Sequence, residues 1–553
     1  MSHGNTVVHR FQENVRKFGS KPFLIVDTPA ETATITYSEM YRRSARHAAA
    51  LRSSGQRGVV LIFLPQGSAG ISYFLGAMMA GLLPSFMPSP SAKQDAGIYW
   101  SSHIKLFEQI DPVAIVTDRA LSATMEKAGL LRKSTRVIIA DGGIEADGFE
   151  VTDTPSSWPA LLQHSSGTTG LKKGVMLSHD AVLLQIDAYA AALDINAEDV
   201  VVSWLPVYHD MGLMACTISP MVLGQTVVLL DPFLWVSRPA SLFKAIAKYA
   251  GTLCWMPNFA FNHTANLVRP DTQSMSLASM RAFINCSEPC HAATFRRFQE
   301  KFSCLGVAPK MLQTCYALAE TVFASSQTSV NRPPRVLVLD QNILQEEQRI
   351  AEPSAEADAI EVISNGPPLA GVTITIRDEQ EKVLPDGFVG EVWIEAPFLF
   401  DGYNRMPELT QEKLVAGSYR TADRGFVADG EIYILGRLDD LLILNGRNVH
   451  AAEIEGLLAD IDGLKPGRAV AFCEFSDTLG SNQLIIVGET TADADKDSIL
   501  AAVRKVIFDH LSIHPGDIVL VEQGWLTKTT SGKISRTANA ASYRQLRERL
   551  VNV

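Results

Sequence analysis

His164-Ser-Ser-Gly-Thr-Thr-Gly-Leu-Lys-Lys-Gly-Val175 concentrates hydroxyls, glycines and lysines within the positions from 165 to 174. Glycines let backbone N–H groups approach a phosphate closely, hydroxyls donate further hydrogen bonds, and lysines supply positive charge. Such a loop suits a polyphosphate. It is not a Walker A loop, which carries a hydroxyl directly after its lysine, whereas Lys173 is followed by Gly174. A flexible Ser/Gly/Thr turn has the same composition, so the surrounding chain has to decide.

Outward from that loop, short apolar runs alternate with helix-length patterns over most of the first 320 residues. Val59 to Leu64, Ala114 to Thr117, Val137 to Ala140 and Thr226 to Leu230 are expected as buried strands. Ile71 to Gly81, Ala181 to Ala192 and Ala240 to Tyr249 are expected as helices. This alternation predicts an α/β fold with largely parallel sheets. From about residue 361 the texture changes. Val372 to Arg377, Gly390 to Ile394 and Glu431 to Leu435 are separated by Gly, Asp and Pro turns, which predicts a small antiparallel β subdomain. The stretch 327–361, with Pro333-Pro334 and an Ala/Glu/Asp-rich end, reads as a partly mobile surface insertion. A hairpin turned by Asn445-Gly446 and a helix from about Ala451 then open a compact α/β unit. The expected division is an N-terminal domain of residues 1–436 and a smaller mobile C-terminal domain of residues 437–553.

Size and charge narrow the class. At 553 residues the chain exceeds one compact core. A net charge of −11 argues against a nucleic-acid partner or an anionic-membrane surface. The 7 cysteines are scattered without a CxxC, the pattern of reduced thiols in a cytoplasmic protein. No basic segment followed by an apolar run opens the chain, so no signal peptide is expected. Residues 67–92 are uncharged, but Pro84, Pro88, Pro90 and several glycines interrupt them. A buried helix, a loop and a strand are expected there, and no integral membrane segment.

Six segments then carry a resemblance. They are Ser165 to Gly174; Leu205-Pro-Val-Tyr-His-Asp-Met-Gly-Leu213; Tyr316-Ala-Leu-Ala-Glu320; Tyr419-Arg-Thr-Ala-Asp423; Gly436-Arg437 through Glu455; and Ser531-Gly-Lys-Ile-Ser-Arg536. In this order they resemble the adenylate-forming superfamily of acyl-CoA synthetases, luciferase-like enzymes, peptide-synthetase adenylation domains and fatty-acyl-AMP ligases.

The resemblance implies ATP and Mg²⁺ as cofactors. Ser165, Ser166, Gly167, Thr168, Thr169, Gly170 and Lys173 would cradle the phosphates, with Lys172 standing where proline is usual. Glu320 matches the magnesium-binding glutamate; a hard cation wants oxygen ligands, and one carboxylate beside phosphates and water suffices. Tyr316 matches the aromatic stacked on adenine, and Ser287-Glu288-Pro289 the turn lining adenine and ribose. Asp423 matches the acid accepting the ribose hydroxyls, although Ala422 replaces the usual glycine. Arg437 would reach the ribose or a phosphate, and Asp439 occupies the hinge position. Lys533 matches the mobile lysine whose charge meets the α-phosphate, where a carboxylate attack brings two anions together.

The acid and its acceptor are narrowed next. Trp255-Met-Pro-Asn-Phe-Ala-Phe261 holds no aspartate for an ammonium-bearing substrate and resembles the fatty-acyl-AMP ligase version of its motif. Phe233 to Pro239, Gly446-Arg447-Asn448 and the 327–361 insertion resemble the same subfamily. The resemblance therefore implies a fatty acid activated as acyl-AMP and passed to the phosphopantetheine of an acyl carrier protein. The alternatives are CoA as acceptor and an aryl or short-chain acid as substrate. Trp204, His209, Met214, Trp255 and Phe259 are candidates for the acyl pocket, with His209 orienting the carboxylate or gating the tunnel; each is also a residue type that an ordinary core holds. A basic C-terminal tail (Lys528, Lys533, Arg536, Arg544, Arg547 and Arg549, against the single acid Glu548) offers a surface for an acidic carrier, or simply a solvated helix.

Overall fold

The computed structural model describes residues 5–52, 57–89, 96–131, 135–140, 149–165, 173–355, 358–444, 447–459, 461–476, 481–492, 494–511, 513–528 and 534–551. An eight-stranded sheet forms the centre. Its spatial order is Ala324–Gln327, Leu312–Ala317, Ala282–Asn285, Leu253–Met256, Val200–Ser203, Thr226–Leu230, Pro22–Asp27 and Thr32–Thr36. The two outer pairings are antiparallel and the inner ones parallel. A second sheet, all parallel, orders Leu83–Phe86, Val59–Phe63, Ala114–Thr117 and Arg136–Ile139. The expected strands and helices of this half all form, within a few residues of the expected ends.

Strands such as Val59–Phe63 and Thr226–Leu230 are buried at every residue, because helices cover both sheet faces. That is why they read as unbroken apolar runs. The uncharged 67–92 stretch is a buried helix, Ser68–Met79, followed by the strand Leu83–Phe86. No described helix is long and apolar enough to cross a membrane.

The sheet's topology selects one edge for function. From Val200–Ser203 the chain steps to one side, to Thr226–Leu230, and then to the other side, to Leu253–Met256. Ligands of open α/β sheets bind beyond the carboxyl ends of the strands at such a reversal. Trp204 and Pro257-Asn258 leave those ends, as do Ser287 and Glu320 one and two strands further on.

The antiparallel subdomain orders Thr373–Arg377, Gly390–Glu395, Ser418–Ala428 and Leu414–Val415, with Glu431–Arg437 also on Ser418–Ala428. A separate hairpin, Pro159–Ser165 with Lys173–Ser178, takes Gly402–Tyr403 as a third strand. Beyond Arg437 come the hairpin Leu441–Leu444 with Arg447–His450 and a sheet of Leu464–Ser476, Ser481–Thr490 and Asp517–Val521. These enclose their own apolar cluster, from Leu442 to Ile513. The boundary expected at 436 falls within the strand Glu431–Arg437, so Arg437 belongs structurally with its neighbour Asp423.

The 327–361 stretch, expected as a surface insertion, has more regular structure than its composition suggests: it holds strands Val336–Asp340 and Ala359–Ile363, paired antiparallel, and the helix Gln341–Glu346, capped by Asp340. Leu339, Leu344 and Val362 are buried against Val389, Phe426 and Tyr433. Its Pro and Glu content marked it as loop, but alternate apolar positions suffice for a half-buried hairpin. Gln327 itself lies in the central sheet, accepting from the Tyr189 hydroxyl at 2.9 Å.

Candidate active site

Strand pairing builds one end of the site. Asp423 stands directly opposite Arg437 in the antiparallel register, and Arg437 Nε lies 3.2 Å from Asp423 Oδ1. From the neighbouring sheet, Tyr316 donates its hydroxyl to Asp423 Oδ2 at 2.5 Å. The Asp423 backbone N–H is held by Thr421 Oγ1 at 2.9 Å, and that of Ala422 by Glu391 Oε1 at 3.1 Å. Ala422 sits at φ +61°, a conformation that favours glycine, so the expected glycine-to-alanine change leaves backbone strain rather than a new contact. Burial works against the Arg437 charge, but Asp423, with Tyr419, Glu320 and Tyr316 adding to it, outweighs burial and holds the guanidinium more firmly protonated than usual. Burial and Asp423 together push the Tyr316 phenol far up, so it remains a donor.

A tight turn builds the other end. Glu320 follows the strand Leu312–Ala317 and is 8% exposed. The turn closes with Phe323 N–H on Thr321 O at 2.6 Å, and Val322 is at φ +64°, ψ −54°. A β-branched residue there is strained, and it persists because Thr321 Oγ1 bonds both Leu318 O and Phe323 O. Glu320 Oε1 accepts from the Tyr403 hydroxyl at 2.7 Å. Among the described residues none donates to its second oxygen. Lys173 Nζ sits over the Tyr403 ring, 5.5 Å from the centroid. Burial lowers the Lys173 pKa, and the Glu320 charge opposes the shift. Beside it, a side chain on Gly174 would meet Leu162 Cδ1 at 3.0 Å, so any larger residue there would have to push the Leu162 side chain aside.

The structure thus brings Lys173, Glu320, Tyr316, Asp423 and Arg437 together. Two members carried no expected role. Tyr403 lies outside the quoted motifs, and Tyr419, which hydrogen-bonds Tyr403, opened one of them unassigned. A tyrosine in Phe398-Leu-Phe-Asp-Gly-Tyr403 looks like core in one dimension, because only the third strand of the hairpin brings it to Lys173.

Ser287, at φ +68°, leaves the strand Ala282–Asn285, and Glu288 Oε2 accepts from Phe259 N–H at 3.0 Å. Pro289 follows in the same turn, and Cys286 is buried against Met211, its Sγ 3.2 Å from Sδ. From the C-terminal unit, Lys528 comes within the electrostatic reach of Glu288. Its pKa falls to about 8 through burial and Arg468, against the pull of Glu489 and Glu288.

The pocket candidates divide. Trp204 stacks on Trp235 with ring centroids 3.6 Å apart, and Phe259 sits edge-on to both. His209 Nδ1 is 2.5 Å from Asp210 Oδ1, just before the π-helix Met211–Ile218. Met214 is fully enclosed in that helix, and Trp255 donates to the Tyr189 hydroxyl at 2.9 Å inside the core. These two are integral to the packing. Along the basic tail, Arg536 pairs with Asp440 and Glu455, each at 2.6 Å, Arg544 with Glu474 at 2.8 Å, and Arg547 with Asp517 at 3.5 Å. Acids distant in sequence thus answer three of the cations counted along the tail.

Ser166, Gly167, Thr168, Thr169 and Gly170, with Lys172 and Lys533, lie outside the described residues. Ser165 ends the strand Pro159–Ser165, and Asp439 lies in the turn Leu438–Asp440.

A family profile described as AMP-binding enzyme matches residues 11–404. A putative fatty-acid–CoA ligase, fadD21 of Mycobacterium leprae, is 30% identical over 93% of this chain and 92% of its own. A 4-hydroxyphenylalkanoate adenylyltransferase of Mycobacterium marinum is 31% identical over 93% and 86%. The long-chain-fatty-acid–AMP ligase FadD28 of Mycobacterium tuberculosis is 30% identical over 93% and 92%. Among solved structures, one from a study of fatty acyl-adenylate ligases of E. coli and L. pneumophila superposes with a TM-score of 0.88 over 98% of both chains, at 24% identity. That likeness fixes the fold.

Proposed function

The chain belongs to the AMP-binding enzyme family, and from that membership we propose that it activates a fatty acid as acyl-AMP and hands the acyl group to the phosphopantetheine thiol of an acyl carrier protein. The observation that carries the reading is a site with two charged ends, Asp423 with Arg437 and Glu320 with Lys173, joined by tyrosines. Asp423, with two oxygens at the end of a buried strand pair, suits a vicinal diol. Tyr316, one bond away, would stack the base, with the 287–289 turn beside it. Lys173 and the 165–170 loop would receive the β- and γ-phosphates.

The fatty-acid carboxylate attacks the α-phosphorus of ATP, the bond to the bridging oxygen breaks, and pyrophosphate leaves. Both nucleophile and electrophile are anionic, so the transition state gains most from cations placed beside the α-phosphate. Lys533 is assigned that role. A single buried carboxylate with one oxygen uncommitted among the described residues fits Mg²⁺, which would take its other ligands from phosphates and water. When bound, it neutralises phosphate charge.

The insertion supports the carrier-protein acceptor. Its helix Gln341–Glu346 packs against the hairpin strand Arg447–His450 beyond the hinge at Asp439, and Gln341 Nε2 bonds Glu453. A brace of that kind resists rotation of the smaller unit toward free CoA. The Trp204–Trp235–Phe259 cluster at the sheet's reversal point supports an apolar acyl chain.

The test is pyrophosphate release with fatty acids of graded length and with aryl acids, each with free CoA, with holo carrier protein, or with neither. The reading expects turnover with a fatty acid and carrier protein, and stalled acyl-AMP with CoA. Prompt acyl-CoA formation would make it a CoA ligase, and preference for aryl acids would move the substrate class. Lys533→Ala should cut pyrophosphate release about 10²–10³-fold while ATP still binds; unchanged turnover removes Lys533 from the chemistry.

A further inference from the structure

Tyr403 touches both charged groups at the phosphate end of the site. Its hydroxyl donates to Glu320 Oε1 at 2.7 Å, while its ring face carries the Lys173 ammonium 5.5 Å from the centroid. Its backbone is pinned on every side. Tyr403 pairs with Val175, Asn404 N–H bonds Gly174 O at 2.7 Å, and Tyr403 N–H bonds Thr410 Oγ1 at 2.9 Å. The ring packs on Phe400, centroids 4.8 Å apart. This is the only strand link that ties Glu320's partner to the hairpin carrying Lys173 among the described residues.

A lysine and a glutamate facing one secluded cleft attract strongly, since the local dielectric is low. Closed onto each other, they would cancel the two charges that a metal nucleotide needs separately. Here they make no ion pair with each other. The phenol stands between them: it fixes one carboxylate oxygen by a hydrogen bond and offers the ammonium a π face, which attracts a cation without neutralising it.

We propose that Tyr403 is a positioning residue for adenylation: it presents the second oxygen of Glu320 to the divalent cation of the nucleotide and keeps Lys173 free for the phosphates. The proposal rests on the adenylation reading above. Its two contacts can be separated by substitution. Tyr403→Phe removes the hydroxyl and keeps the ring; Tyr403→Leu removes both.

The full-length protein is titrated with Mn²⁺ in the presence of an ATP analogue with a methylene bridge between the α- and β-phosphorus, and binding is read from water proton relaxation. Y403F should weaken Mn²⁺ binding about 10-fold, the cost of losing a hydrogen bond behind a metal ligand. Affinity for the analogue in EDTA should stay unchanged in Y403F and fall several-fold, about 3- to 10-fold, in Y403L. In pyrophosphate release, Y403F should need about tenfold more Mg²⁺ for half its maximal rate and approach the wild-type rate at saturating metal.

Thr410→Val, which loosens the Tyr403 backbone and leaves the phenol in place, should shift Mn²⁺ affinity in the same direction by less, and it serves if Y403F does not fold. Unchanged Mn²⁺ affinity in the folded variants overturns the proposal. A wild type that releases pyrophosphate with no acid fails the adenylation reading instead, while the Mn²⁺ titration still decides the role of Tyr403.

Discussion

The two ends of the site hold carboxylates of nearly equal burial, Asp423 at 7% exposed and Glu320 at 8%, yet they are arranged oppositely. Asp423 is already matched: a guanidinium lies 3.2 Å from one oxygen and a phenol 2.5 Å from the other. Glu320 receives a phenol and, among the described residues, makes no ion pair, while the Lys173 ammonium sits over that phenol's ring. A diol needs a fixed, pre-oriented acceptor, and a matched carboxylate is one. A metal ion needs charge that has not been cancelled. On the proposed reading, the difference says that the end assigned to ribose is built for geometry and the end assigned to phosphate for charge.

The largest expected effect breaks the phosphate end. Glu320→Gln keeps an acceptor for Tyr403 but removes the charge, and pyrophosphate release should fall about 10²–10³-fold with little change in melting temperature. If the variant loses stability as much as activity, Glu320 is a structural acid and the contrast fails.

Asp423→Asn should separate the ends from the other side. Losing charge-assisted acceptance should raise the KM for ATP about 10- to 100-fold. The variant should also lose stability, about 1–2 kcal/mol after allowing for a half-exposed Arg437 left unmatched. Urea unfolding of the two variants, run together, measures the asymmetry directly.

A pH-dependent effect sharpens it further. Asp401, next to the Gly402–Tyr403 strand, has its carboxyl raised from 3.8 to about 6 by burial, with Asp180 adding to it. Since the folded value lies above the unfolded one, the stability tied to the protonated form is complete below about pH 4 and lost as pH rises through about 6. Because Asp401 is exposed, solvent screens most of this, and Asp401→Asn should raise the melting temperature only slightly, by about 1 °C, near pH 8 and leave it unchanged near about pH 4. A gain of equal size at both pH values would remove ionisation as the cause.

The smallest effect lies at the ribose end. Ala422→Gly relieves a positive φ at a position that needs no side chain, and should stabilise by about 0.5–1 kcal/mol with ATP affinity unchanged. Lost affinity would mean that the strain itself sets the Asp423 geometry.

Much of this site was legible in one dimension. Lys173, Glu320, Tyr316, Asp423 and Arg437 stood in short motifs whose residue types match the chemistry, and the structure gathers all five. Tyr403, Tyr419 and Trp235 were not legible, because an aromatic in an apolar run has the same local pattern whether it packs in a core or faces a charge. The insertion misled in the opposite direction: a polar composition hid a hairpin whose buried face needs only Leu339, Leu344 and Val362. The pairing of three tail cations, Arg536, Arg544 and Arg547, with Glu455, Glu474 and Asp517 was not legible either, because those acids lie on other elements.

The sequence by itself determined the α/β alternation, the antiparallel change near residue 361 and the motifs proposed to meet phosphate and ribose. Periodicity and residue type are local properties, written in the order of the chain. Which carboxylate is matched and which is left charged was decided only by tertiary structure. It depends on a strand register that sets Arg437 opposite Asp423, and on a third strand that slides one phenol between Lys173 and Glu320. Electrostatic pairing acts over a few ångströms of space, and distance along the chain carries no record of it.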